Sequence, residues 1–167
     1  GSNTKAQDHN SVRSNKSSSV VADDADNGGG ENKKSNTGPV KWMAPESIKR
    51  TVNTSRSNIK NIIATLDDLE DQLNADASTE EKLVNTSRSN IKSQRMTASE
   101  LQETLSTMEY MDKETALHEV SRKMTAMNSR FQILQQSISA LGGRYSGISN
   151  VLKSRHDIAM NSIRNMK

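Results

Sequence analysis

The chain has 167 residues, of which 31% are apolar and 2% aromatic, too few large side chains to furnish a round domain with an enclosed pocket. Its 23 basic and 20 acidic residues are interspersed and leave a net charge of +3, which argues against the clustered basic face of a nucleic-acid binder. Cysteine is absent, which removes disulfides, thiolate catalysis and most zinc sites, and no run approaches the roughly 18–20 apolar residues of a membrane span.

Residues 1–38 are dominated by Ser, Asn, Asp, Lys and Gly, with Val12, Val20, Val21 and a few alanines as their apolar content. Such a stretch buries too little surface to offset an ordering entropy of about 1–2 kcal/mol per residue, so it is expected to be a disordered arm. Gly28-Gly29-Gly30 has neither a strand before it nor a helix after it, and so does not read as a phosphate loop.

The character changes at Gly38-Pro39, and a first helix is expected over 39–75. Pro45 suits the first turn, where its missing N–H is not needed, and Glu46 suits the positive end of the helix dipole. Ile48, Val52, Ser55, Ile59, Ile62, Leu66, Leu69 and Leu73 then recur at steps of three and four, the spacing of a coiled-coil seam. The segment Gly38-Pro39-Val40-Lys41-Trp42-Met43-Ala44-Pro45-Glu46-Ser47-Ile48 closely resembles the end of a protein-kinase activation segment, where an Ala-Pro-Glu motif closes the substrate loop. The glycine-rich loop, the strand lysine, the His-Arg-Asp loop and the Asp-Phe-Gly motif are absent, so no kinase function is implied.

Asn74-Ala75-Asp76-Ala77 interrupts the seam, and Ser78-Thr79-Glu80-Glu81 reads as a capping box at a new helix start, which predicts a hairpin at 74–78. A long second helix is expected over 78–141. Its seam begins Val84, Ser87, Ile91, Gln94, Ala98, Leu101, Leu105, Met108, slips by one residue around Tyr110–Glu114, and resumes as Leu117, Val120, Met124, Met127, Phe131, Leu134, Ile138, Leu141. The slip fits either a skip residue in one helix or a turn capped by Asp112, and the continuous helix is the preferred reading. Gly142-Gly143 and Gly147 weaken the helix by about 1 kcal/mol each relative to alanine. Tyr145, Ile148 and Leu152 keep the register, so 142–167 reads as a hinge followed by a C-terminal assembly helix with a ragged seam at Ile158, Ile163 and Met166.

Val52-Asn53-Thr54-Ser55-Arg56-Ser57-Asn58-Ile59-Lys60 recurs identically as Val84-Asn85-Thr86-Ser87-Arg88-Ser89-Asn90-Ile91-Lys92, and the weaker likeness runs on to Leu73 and Leu105. This is the mark of a duplicated helical unit. Ser55 and Ser87 stand at seam positions where leucine would pack better, and a polar seam residue trades stability for register. The histidines His9, His118 and His156 have no ligand spacing, and the acidic pairs read as a solvated helix face. No catalytic, cofactor or metal site is expected.

The pattern predicts an all-α protein, a long antiparallel coiled-coil helical hairpin behind the arm. Its interaction seam comprises Ile48, Val52, Ile59, Ile62, Leu66, Leu69 and Leu73 of the first helix, Leu101, Leu105, Leu117, Val120, Met124, Met127, Phe131, Leu134, Ile138 and Leu141 of the second, and Tyr145, Ile148 and Leu152 beyond it. The expected partners are proteins, met by helical packing and including further copies of the chain, with no nucleic acid and no membrane span. The stretch from Asn150 to Lys167, ending Ser162-Ile163-Arg164-Asn165-Met166-Lys167, resembles the C-termini of secreted needle-tip, filament and translocator proteins of bacterial type III secretion systems. That resemblance implies secretion and a C-terminal helix that drives assembly. The alternatives are a cytoplasmic coiled-coil adaptor or tether, or a viral polymerase cofactor with a disordered arm.

Overall fold

The computed structural model describes residues 42–166, and among them every regular element is helical. Four α-helices follow one another: α1 (Glu46–Asn74), α2 (Glu81–Thr107), α3 (Lys113–Ala140) and α4 (Ser146–Arg164). Short 3₁₀ turns at Met108–Tyr110 and Gly143–Tyr145 precede α3 and α4. The protein is all-α. The arm expected over 1–38 lies outside the described residues.

Side-chain bonds fix the topology. Arg95 on α2 reaches Asp67 and Glu70 on α1 at 3.0 and 2.6 Å. Lys123 on α3 reaches Glu100 on α2 at 3.1 Å, and Gln94 Nε2 donates to the Met127 carbonyl at 3.4 Å. Ser162 meets Ser55 at 2.7 Å and Arg155 donates to Thr65 at 2.5 Å, which lays α4 antiparallel to α1. The result is an up-down-up-down four-helix bundle closed within one chain, where the sequence pattern predicts a two-helix hairpin followed by a hinge and a C-terminal assembly helix.

Two turns account for the difference. The helix expected over 78–141 ends at Thr107. Met111 is extended (φ −108°, ψ 162°), and Asp112 takes the N-cap of α3, accepting from the Thr115 N–H at 3.1 Å. The phase slip at Tyr110–Glu114 is thus a change of direction, and it lets the Leu117–Leu141 seam fold back onto the Val84–Leu105 seam. The expected hinge at 142–147 is likewise a full reversal. Gly142 has φ +103°, a left-handed conformation that ends α3 at no steric cost to glycine.

The first turn forms where it was expected but by another device. Ser78 and Glu81 make no capping box, since Glu80 occupies the N-cap of α2 without a side-chain bond. Asp76 instead accepts from the Ser78 and Thr79 N–H groups at 2.8 and 3.0 Å, an Asx turn in which a short carboxylate replaces backbone partners. The first helix, expected from 39, starts at Glu46 with Pro45 at its N-cap (φ −61°, ψ 159°). Residues 42–45 cross the end of the bundle as a strap, tied down by the Trp42 N–H to the Met111 carbonyl at 2.8 Å.

Candidate functional site

The predicted seam is the interior. Ile59, Ile62, Leu66, Leu69 and Leu73 of α1 pack with Leu101 and Leu105 of α2, all within 2% of full burial. Val120, Met124, Met127, Phe131, Leu134, Ile138 and Leu141 from α3 and its C-cap complete the core with Tyr145 and Leu152. Ile48, Val52, Leu117 and Ile148 sit at its edge, half-buried. In a two-stranded rod these residues would wait for another helix. Here they satisfy one another.

Because α3 packs within a bundle, its buried stripe is wider than one seam and includes Glu119, Lys123 and Arg130 beside the apolar positions. Lys123 is offset by Glu100. The inner face of α4 is Leu152, His156, Ala159, Met160 and Ile163, with Met166 buried just past its end, whereas Ile158 is half exposed. Sequence reading missed His156 and Ala159 because neither is a large apolar residue. The three-and-four spacing from Leu152 to Ile163 runs through both, and was the available signal.

One end of the bundle is closed by polar groups. Asp76 accepts from Tyr145 Oη at 2.5 Å and forms an ion pair with Arg144, joining the first turn to the third. The Arg144 guanidinium, then the Tyr145 hydroxyl, hold the Asp76 carboxyl far below the usual carboxylate range. Burial, reinforced by Asp76, pushes the Tyr145 phenol up to about 12. Of these residues the sequence singled out Tyr145 alone, as an apolar seam residue, while Asp76 reads there as an interruption of the seam.

The opposite end is open. α4 spans 19 residues against 29 for α1, so the first two turns of α1 extend beyond it. There the strap, α1 and the end of α2 enclose a groove of about 400 Å³. Its apolar wall is Trp42, Ile48, Val52, Leu105 and Met108, and its rim carries Lys49, Arg56 and Glu109. Met43 stands at its mouth, 84% exposed, and Tyr110 is half exposed at the same end. The volume lies in the range that binds small ligands or a few protein side chains.

Among the described residues no group of His, Asp and Glu is placed to hold a metal ion, and no helix is long and apolar enough to cross a membrane. Comparison of the chain with known protein families, with curated proteins and with solved structures finds no match.

Proposed function

We propose that this chain is a non-enzymatic interaction protein that self-associates through the Trp42 end of its bundle. The observation that carries this reading is an exposed apolar side chain, Met43, among the residues that line a groove of mixed apolar and polar character. In a two-fold pair each copy's Met43 enters the other's groove, the self-complementary arrangement that closed dimers require. The rim supports the same geometry, because it bears both signs of charge. Arg56 and Lys49 of one copy face Glu109 of the other across the axis, and complementary rim charges set register and partner choice more than affinity. Methionine suits such a contact, being unbranched and able to fit an irregular pocket.

The likeness of residues 150–167 to needle-tip and filament proteins supports a role in an assembled secretion structure, and self-association at one end is compatible with it. The test is molar mass in solution by light scattering across a concentration series. We expect the wild type to form dimers, and Met43→Lys or Val52→Asp to be monomeric with unchanged helicity. Restoration of the dimer on mixing Arg56→Glu with Glu109→Arg chains would confirm the rim pairing. A wild type that stays monomeric at millimolar concentration would overturn the reading.

A further inference from the structure

Buried positions of a helical bundle are normally apolar, yet α4 places a histidine at one, against α3. His156 is 4% exposed, and its ring stacks on Phe131 of α3 at 4.0 Å between centroids and 5° between planes. Its Nε2 lies 2.7 Å from Asn128 Oδ1. A carbonyl oxygen only accepts, so Nε2 carries the ring proton and donates it. Nδ1 is left buried and has no hydrogen-bond partner. The ring is therefore accommodated in one protonation state only. A proton added at Nδ1 would put a cation against Phe131 with no acceptor to receive it, and a buried unpaired charge is relieved by moving into water.

The charges around it work in both directions. On α4 itself, Asp157 favours the charged ring, while Arg164 and Lys153 oppose it. From α3 the ring meets Asn128 and Phe131, and the buried charged groups on that helix's inner side are Glu119, Lys123 and Arg130, with Lys123 held by Glu100. The α1 groups bonded to α4 are the neutral Ser55, Asn61 and Thr65.

The helix that carries this histidine is also the shortest of the four. Besides the His156 contacts, its bonds to α3 comprise Ser149 to Gln135 at 2.8 Å.

We infer that His156 is a proton-operated clasp: in its neutral state it seals α4 against α3, and its protonation releases α4 from an otherwise intact α1–α3 unit. Release would uncover the α1 and α3 core positions now covered by α4, offering them to a helical partner only in acid.

The direction of the effect follows from linkage. Burial pushes the ring's pKa down from 6.5 to about 4, so between those values the released state binds more protons than the closed one. Closure is therefore at full strength above about pH 6.5, weakens as pH falls, and levels off below about pH 4. The ratio of closed to released α4 should drop roughly thirtyfold between about pH 7.5 and about pH 5.

The chain has no cysteine, so paired spin labels can be placed freely. One pair, Lys60→Cys with Ser154→Cys, spans α1 and α4; a control pair, Gln72→Cys with Gln136→Cys, spans α1 and α3. All four positions are exposed. Samples are diluted into unlabelled chain so that only distances within a chain are read. On acidification to about pH 5 the α1–α4 distances should broaden and lengthen while the control pair stays fixed. His156→Gln, which keeps an N–H for Asn128, and His156→Phe, which keeps the stack, should each abolish the change. The inference is overturned if the α1–α4 pair does not move, if both pairs move together, or if both variants open at the same pH as the wild type.

Discussion

Ser55 and Ser87 are the same residue of the same nine-residue motif, both wholly buried, yet they meet different fates. Ser55 Oγ bonds Ser162, while Ser87 Oγ has no partner. A buried hydroxyl without a bond costs about 1–3 kcal/mol, so Ser87→Ala should stabilise the bundle by roughly 1 kcal/mol. Ser55→Ala should destabilise it by a similar amount, because it strands the Ser162 hydroxyl; urea unfolding monitored by circular dichroism reads both. Opposite signs at two positions identical in sequence would be a direct measure of their different surroundings. Phe131 and Leu134 lie deep in the core, at 5% and 0% exposure. An aspartate at either would leave an unpaired buried charge, and we expect loss of cooperative unfolding near neutral pH. Charged residues at the outward Gln132 and Gln136 should change stability by less than about 0.5 kcal/mol.

At the level of the element, the apolar spacing was enough to place the helical stretches, because a period near 3.6 survives whatever the helix packs against. What the spacing could not reveal was the direction of the chain at two points. At Tyr110–Glu114 the register resumes so soon after the slip that a skip residue and a reversal look alike in sequence. The difference lies in whether Asp112 bonds the Thr115 N–H, which it does. At Gly142 the same ambiguity is resolved by a positive φ that periodicity does not record. Removing the cap with Asp112→Ala should cost about 1 kcal/mol. Gly142→Ala should cost at least as much through backbone strain alone, since a Cβ there meets nothing within 4 Å. Gly147→Ala, inside α4 with ordinary dihedrals and open space, should instead stabilise by up to about 1 kcal/mol. Thermal melts of the three variants would separate the turn glycine from the helical one.

Across the whole molecule the two ends are built on different chemistry, and of the polar end the sequence showed little. Asp76 lies almost seventy positions from the adjacent pair Arg144 and Tyr145 and meets them only when the bundle closes. Their contribution to stability is complete above the ordinary carboxylate pKa near 3.8 and is lost as pH falls below it, because the folded state holds Asp76 ionised. That window lies below the one set by His156, so an acid titration of the wild type should show two separate losses. Asp76→Asn should shrink the lower one without moving the upper, the remainder coming from Asp112, whose carboxyl, against the opposing effect of burial, the Thr115 bond also holds low. The duplicated motif has a further consequence at this scale. Its two copies sit on antiparallel helices, so the exposed residues Asn53, Thr54, Arg56 and Lys60 on α1 are presented again as Asn85, Thr86, Arg88 and Lys92 on α2, pointing the other way along the bundle. From the register set by Arg95, the two faces stand roughly 28 Å apart along the bundle axis. The chain is thus bivalent by construction: an antibody fragment raised against one copy should bind twice per bundle, and a two-headed reagent spanning that distance should gain avidity from a single molecule.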